Sequence, residues 1–216
     1  MMIGARRLFR MQGPLLGLIG LMFVIYFGQA IFGPGWYQNL MAVPGEVVAS
    51  WDALRTGSFS PVIWQEFGTL LSCAFLHGSI EHVTFNMLYF WIFGALLAEL
   101  LGWRWMLVIF FVTAIGASAT HVVLNREEFI PMLGASGALM GFEGAYLGLA
   151  VRWSLPDPHV WPMSRSIPPG QLALLAVIGV IFDYTAILGG VDAGIAYGAH
   201  VGGFTTGLLM AALVVP

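Results

Sequence analysis

The chain has 216 residues, of which 59% are hydrophobic and only 9% are charged, and its mean hydropathy is +0.87. These proportions exclude an ordinary charged, water-facing surface and predict a polytopic membrane protein. Its basic residues are eight scattered arginines and its formal net charge is -3, so there is no basic patch and we expect no nucleic-acid partner.

Six stretches approach the roughly 20 apolar residues that a helix needs to cross a bilayer. They cover residues 14–32, 82–101, 105–124, 133–151, 171–188 and 193–214. The pattern predicts an all-α bundle of six transmembrane helices in one domain over residues 14–216, after a short cytoplasmic segment over 1–13. The first stretch is long for a signal peptide and has no clear small-x-small cleavage site, so we interpret it as a retained span. An outer interfacial loop is expected over about 33–70, because its tryptophans alternate with Pro and Gly.

Arginine placement orients this bundle. A cytoplasmic N-terminus puts six arginines on the inner side and two on the outer side, which follows the positive-inside rule. The inner six are Arg6, Arg7, Arg10, Arg104, Arg152 and Arg165, and the outer two are Arg55 and Arg126. We therefore expect both termini to be cytoplasmic.

Two polar residues fall inside this apolar bundle at similar depths. Ser136 begins the fourth stretch near the outer face, and His200 lies about two turns into the sixth. A hydroxyl and an imidazole form a nucleophile–base pair, and polar groups in hydrocarbon are functional candidates. Glycines at helical spacing, which let two helices approach closely, flank both residues. They are Gly134, Gly137, Gly141, Gly144 and Gly148 on one helix and Gly203 and Gly207 on the other. The plainer alternative is ordinary membrane packing, with Ser136 as one more small residue.

A third polar cluster opens the second stretch. His82 and Asn86 are four residues apart and share one helix face, and His77 precedes them. Side-chain donors of this kind can stabilise an oxyanion without a fixed charge, and loss of one such donor typically costs ~3 kcal/mol. A cross-linking His–Asn pair or a metal site is the alternative, but no cysteine or carboxylate stands at ligand spacing. We expect no metal and no cofactor.

Other polar groups receive weaker interpretations. Glu143 lies about 10 Å deeper than Ser136 on the same stripe, so it is expected to be an interior group, with water retention as an alternative role. Asp183 is on the fifth stretch, and neither acid is placed to orient His200. Cys73 is interpreted as a small packing position, and His121 is expected to lack polar partners.

The order of these motifs resembles the rhomboid family of intramembrane serine proteases. The residues that carry the resemblance are His77-x4-His82-x3-Asn86, Gly134-Ala135-Ser136-Gly137 and Ala199-His200-x2-Gly203-x3-Gly207, on the second, fourth and sixth stretches. The resemblance implies a Ser–His dyad without an acidic third member. It implies Ser136 as nucleophile and His200 as general base and then acid. It also implies an oxyanion hole of His82, Asn86 and the Ser136 N–H, with His77 holding water near the mouth.

The chain departs from the family pattern in two places. Gly68-Thr69 occupies the position where many members have a Trp-Arg pair in the first loop, and this puts the anchoring of that loop in question. Met140 stands where relatives often have an aromatic ring beside the catalytic histidine. The resemblance also implies substrate entry between spans two and five, and Gly189 and Gly190 are the candidate hinge of that gate.

The function expected from these features is cleavage of single-span membrane proteins in the lipid bilayer, near the outer face. The absence of targeting extensions favours a bacterial inner membrane. A catalytically silent client-binding relative is the first alternative, and a small proton or cation transporter that uses the histidines and Glu143 is the second. The sequence identifies neither the substrate nor the oligomeric state.

Overall fold

A computed structural model describes residues 5–155, 168–189 and 195–214, and helices account for most of them. Nine α-helices lie within the described part of the chain. They are α1 (Ala5–Phe32), α2 (Pro34–Tyr37), α3 (Pro44–Arg55), α4 (Pro61–Ser72), α5 (Ile80–Leu101), α6 (Trp103–Leu124), α7 (Ser136–Arg152), α8 (Pro169–Leu188) and α9 (Tyr197–Leu213). Two 3₁₀ turns, Gln38–Leu40 and Cys73–Phe75, follow α2 and α4. The all-α prediction is confirmed.

Local sequence signals explain where several helices begin. The side chain of Ser79 accepts a hydrogen bond from the backbone N–H of His82 at the start of α5, and Ser60 does the same for Ile63 at the start of α4. These are N-caps, which satisfy a backbone donor that has no partner inside the helix. Gly102 separates α5 from α6 with a φ of 87°, a conformation that glycine adopts without strain.

Six long helices coincide with the six predicted apolar stretches, with differences at the ends. The fourth begins at Ser136 rather than at residue 133, because the backbone of Gly134 (φ 128°) is incompatible with a helix. Three segments within the described residues meet criteria of length and composition for crossing a membrane: Gln12–Phe32, Ile80–Leu101 and Trp103–Leu124. The chain is thus an integral membrane protein, and a count of six spans stays a prediction.

The segment between α1 and α5 is anchored to the loop that leads into α7. Ala42 and Met132 exchange two backbone hydrogen bonds, N–H to O at 3.2 and 2.8 Å. The N–H of Gly45 donates to the carbonyl of Glu128 at 2.8 Å, three residues further along the first segment. These bonds anchor the segment although Gly68-Thr69 replaces the Trp-Arg pair, and Gly68 has no neighbour within 4 Å of an added Cβ.

The core of the bundle lies between α5, α6 and α7. Stacked and edge-on aromatic rings fill it, with the rings of Phe90 and Phe110 5.2 Å apart and those of Phe90 and Phe142 5.4 Å apart. All three side chains are fully buried. Helix α9 packs against both α6 and α7, and α7 also packs against α5.

Candidate active site

Ser136 is the first residue of α7, and the chain ahead of it is tightly constrained. Gly134 adopts a φ of 128°, and its N–H donates to the carbonyl of Cys73 at 2.9 Å. A helix start leaves the N–H groups of its first turn without carbonyl partners in the helix, and the helix dipole favours negative charge there. The local fold therefore places the Ser136 hydroxyl beside a set of backbone donors.

The hydroxyl of Ser136 and the imidazole of His200 are in contact. The Oγ–Nε2 distance is 2.9 Å, and both residues are partly buried. The ring of Tyr197, one turn before His200 on α9, packs edge-on against the imidazole with centroids 6.3 Å apart. An aromatic neighbour of His200 thus comes from its own helix. Met140 instead extends toward α8, where its methyl group lies 3.7 Å from the position of an added Cβ on Gly179.

Glycines bring α7 and α9 into backbone contact below this pair. A Cβ on Gly203 would overlap the carbonyl oxygen of Gly137, and one on Gly207 would overlap that of Gly141. The contact is reciprocal further along, since a Cβ on Gly144 would overlap the carbonyl of Phe204. This close approach of α7 and α9 lets the short side chain of Ser136 reach an imidazole on the neighbouring helix.

His82, in the first turn of α5, packs against the segment that leads into α7. A Cβ on Gly134 would come within 2.9 Å of His82 Nε2 and 2.8 Å of its Cε1, so the ring packs directly on the glycine two residues before Ser136. The other ring nitrogen, Nδ1, accepts a hydrogen bond from the N–H of Gly78 at 3.4 Å. A neutral imidazole whose Nδ1 accepts must carry its proton on Nε2, the atom that faces Gly134.

Asn86 follows His82 by one turn of α5. Its side chain is 8% exposed, and its Nδ2 is buried with no hydrogen-bond partner among the described residues. A buried amide donor without a partner is costly and points to a missing acceptor.

His77 is buried, with 2% of its surface exposed, and its ring packs edge-on against His82 with centroids 5.1 Å apart. Burial, together with the neighbouring His82, lowers the pKa of His77 to about 4. The imidazole is therefore neutral at physiological pH. Its expected role as a holder of water stays a prediction.

Gln29 of α1 was not singled out by the sequence. Its side chain is 5% exposed and makes two hydrogen bonds to the backbone of His77: the N–H of His77 donates to Oε1 at 3.0 Å, and Nε2 donates to the carbonyl of His77 at 3.4 Å. A glutamine within an apolar helix was the available signal. Its partner, 48 residues away, leaves no trace in the sequence pattern.

The expectation that His121 lacks polar partners is wrong. Its Nδ1 lies 3.1 Å from the side-chain nitrogen of Asn125, and its Nε2 lies 4.0 Å from a carboxylate oxygen of Glu128. The i to i+4 spacing with Asn125 was a readable signal. His121, Glu128 and His82 line one cavity of about 300 Å³ together with Gly78.

Two predicted residues lie deeper or outside the described region. Glu143 is 4% exposed, and one carboxylate oxygen lies 3.9 Å from the position of an added Cβ on Gly179, so it is an interior group that faces α8. The side chain of Asp183 and all of Gly190 fall outside the described residues. Within residues 5–155, 168–189 and 195–214, no three His, Cys, Asp or Glu side chains form a group that could hold a metal ion.

Comparison with known proteins identifies the family. A family model described as Rhomboid domain matches residues 64–216. The chain is 32% identical over 174 residues to the Rhomboid protease GlpG of Yersinia pestis (strain Pestoides F), which covers 80% of the chain and 56% of the relative. It is 30% identical over 200 residues to the Rhomboid protease GlpG of Yersinia enterocolitica, covering 92% and 62%. The chain thus spans less than two thirds of the length of these relatives. The chain belongs to the rhomboid family.

Proposed function

We propose that this protein is an intramembrane serine endopeptidase that uses Ser136 and His200 as a dyad. The observation that carries the proposal is the 2.9 Å distance between Ser136 Oγ and His200 Nε2, which joins two separate helices. A serine hydrolase requires its nucleophile and its base to lie within hydrogen-bonding distance of each other. The name of the relatives, Rhomboid protease, agrees with this chemistry.

Both half-reactions, formation of an ester on Ser136 and its hydrolysis, use this contact. The Ser136 hydroxyl donates its proton to His200 Nε2 as Oγ attacks a peptide carbonyl, and a tetrahedral intermediate forms. The resulting imidazolium then gives the proton to the leaving amine, and an ester on Ser136 remains. Water, deprotonated by the same imidazole, then attacks the ester carbonyl, and the imidazolium returns the proton to Ser136 Oγ as the ester bond breaks and the carboxylic acid leaves.

The negative charge of the intermediate is held by donors at the start of α7 and on α5. The N–H of Ser136 lies at a helix N-terminus, where the dipole favours an anion. Asn86 contributes a buried amide without another partner, and His82 contributes its Nε2–H. Such donors act strongly in a site of low dielectric because they require no reorganisation.

The absence of an acid from the proposed dyad is physically reasonable in this environment. An ionised carboxylate carried into a membrane would pay a large desolvation penalty. Packing can take over its orienting role, because Tyr197 contacts the His200 ring and Gly203 fixes α9 against α7. Glu143 then acts as an interior group and not as a third member of the site.

The proposed substrates are single-span membrane proteins cleaved near the extracytoplasmic face. A peptide bond inside a helix is shielded by its own hydrogen bonds, so the substrate must unwind at the site, and small or helix-weakening residues favour this. We propose six spans with both termini cytoplasmic, on the basis of the arginine distribution, and a bacterial inner membrane, on the basis of the bacterial relatives. Ser136 then lies near the outer end of α7.

The proposal is tested by labelling the detergent-solubilised protein with a fluorophosphonate probe. Wild type is compared with Ser136→Ala and His200→Ala, and Ser60→Ala serves as the matched control because Ser60 only caps α4. We expect labelling of wild type and Ser60→Ala and none in the two site variants. Incubation with reconstituted single-span proteins then tests whether the same two substitutions abolish cleavage.

Other outcomes distinguish the alternatives. A folded wild type that does not label, but retains single-span proteins on co-purification, would favour a client-binding function. Proton or cation flux through proteoliposomes that survives Ser136→Ala would favour transport. Equal labelling of wild type and Ser136→Ala would place the reactive serine elsewhere and overturn the dyad.

A further inference from the structure

Three hydrogen bonds and one packing contact connect the first helix to the candidate oxyanion hole. The side chain of Gln29 makes two hydrogen bonds to the backbone of His77. It accepts one from the His77 N–H at 3.0 Å and donates one to the His77 carbonyl at 3.4 Å. The next residue, Gly78, directs its N–H to Nδ1 of His82 at 3.4 Å. The opposite edge of the His82 ring packs on Gly134, two residues before the nucleophile.

We propose that Gln29 is a positioning residue that fixes the tautomer of His82 through the peptide backbone of His77 and Gly78. This role depends on the proposed function, and through it α1 takes part in transition-state stabilisation. Gln29 does not touch the reacting atoms and acts only through His82.

The chemistry of the imidazole makes this fixation necessary. A neutral histidine has one N–H and one bare nitrogen, and the hydrogen bond that one nitrogen makes sets which of the two carries the proton. Only the tautomer with its proton on Nε2 can donate a hydrogen bond toward Ser136. A donor aimed at Nδ1 selects that tautomer, and the N–H of Gly78 is such a donor.

The N–H of Gly78 needs support of its own. It belongs to a short connection between the 3₁₀ turn Cys73–Phe75 and α5, where no helix or strand fixes the peptide plane. The backbone N–H and carbonyl of His77 are instead both bonded to the side chain of Gln29. Gln29 in turn needs these partners, because its amide is a buried polar group in an apolar helix. The Gln29 amide satisfies both groups with one planar unit, which orients the peptide that follows.

Gln29→Met tests the proposal because methionine has a similar length and shape but no hydrogen-bonding groups. We expect kcat to fall at least about tenfold with little change in KM, since a transition-state donor is impaired rather than substrate binding. Gln12→Met is the matched control: Gln12 is equally buried on the same helix, 17 residues away from Gln29 and remote from the site. Its kcat should equal that of wild type.

A double-mutant comparison separates positioning from general structural damage. In a His82→Ala background, Gln29→Met should cause no further fall in kcat, because the ring that it positions is gone. A fall of the same factor in both backgrounds, or no effect in either, would overturn the proposal. Gln29→Glu keeps the acceptor for the His77 N–H and should restore part of the activity, and it replaces Gln29→Met in the cycle if the latter does not fold.

The tautomer itself can be observed without catalysis. Nitrogen-15 spectra of histidine-labelled protein in detergent, with the His82 signals assigned by His82→Ala, should show protonated Nε2 and bare Nδ1 in wild type. Gln29→Met should introduce the other tautomer, and Gln12→Met should not. An unchanged His82 spectrum in Gln29→Met would refute the inference and leave the dyad standing, whereas absent fluorophosphonate labelling with the expected spectral change would refute only the dyad.

Discussion

Gly203 on α9 lies against the carbonyl oxygen of Gly137 on α7, so closely that no side-chain carbon fits between the helices. Gly137 is the residue after Ser136, the proposed nucleophile, and Gly203 is three residues after His200. The distance between the two residues of the proposed dyad is thus set by a backbone contact within one helical turn of them. Small residues at a helix interface have this effect in membranes because they permit close approach.

Gly203→Ala should therefore separate Ser136 from His200. The added methyl group overpacks the interface, which typically costs about 1–3 kcal/mol, and we expect a lower Tm together with loss of fluorophosphonate labelling. Gly20→Ala is the control for an alanine in a helix, because nothing lies within 4 Å of an added Cβ at Gly20.

A second control separates stability from site geometry. A Cβ on Gly148 would meet the carbonyl of Leu208 at 2.6 Å, in the same helix pair but about 18 Å along α7 from Ser136. Gly148→Ala should lower Tm and keep most of the labelling. Equal loss of labelling in Gly148→Ala and Gly203→Ala would mean that only overall stability matters.

The thiol of Cys73 should resist alkylation while the protein is folded. Its side chain is fully buried, its Sγ lies 3.3 Å from Ser118 Oγ, and burial raises its pKa to about 11. Thiolate is the reactive form, so a rise from 9 to about 11 lowers its amount at pH 8 by about 100-fold. Iodoacetamide modification followed by mass spectrometry should be slow in detergent and fast in denaturant. Rapid modification without any loss of structure would contradict the packing position.

The sequence predicted which two polar side chains meet at the candidate site because polar residues in apolar stretches and helix periodicity both leave local signals. Ser136 and His200 are polar residues in apolar stretches, and their similar depth follows from a rise of 1.5 Å per residue. The structure brings their side chains to 2.9 Å. Their glycine neighbours could be recognised for the same reason, since helical spacing reveals a shared face.

The remaining features depend on contacts between distant segments. Gln29 and His77 are 48 residues apart, and Ala42 pairs with Met132 across 90 positions, so neither contact has a periodic signal. The His121–Asn125 pair did have a periodic signal, because the two residues are four apart. The sequence interpretation missed it by not comparing His121 with the residue one helical turn further along. Backbone pairing of the outer loop also explains how it is anchored without a Trp-Arg pair.

Stability should fall as the pH drops from neutral toward 5, in part through His77. Burial and His82 lower the pKa of its imidazole from about 6.5 to about 4 in the folded protein. Between these values the unfolded chain binds more protons, so stability present above pH 6.5 is lost as the pH falls. The loss from this group between pH 7 and pH 5 is about 2 kcal/mol.

The measurement is Tm in detergent at pH 7 and pH 5 for wild type and His77→Phe. Phenylalanine keeps a ring in the buried site and does not titrate, so the variant should lose fewer degrees than wild type between the two pH values. The comparison cancels the other groups that titrate in this range. Identical pH dependence of Tm in the two proteins would show that His77 has an ordinary pKa.

Gly134→Ala should abolish catalysis while leaving the fold largely intact. Its φ of 128° is strained for any residue with a side chain, which costs about 1–3 kcal/mol. The new methyl group would also press on the His82 ring, because the added Cβ lies 2.8 Å from Cε1. The ring must move away from Ser136, so we expect kcat to fall about 100-fold or more, as for removal of one oxyanion donor. Gly102→Ala supplies the matched control: Gly102 also has a positive φ of 87°, but nothing lies within 4 Å of an added Cβ. Both variants should have a lower Tm than wild type because of backbone strain, and only Gly134→Ala should lose turnover. If Gly102→Ala lost turnover to the same degree, strain alone would account for the effect, and the contact between Gly134 and His82 would have no catalytic meaning.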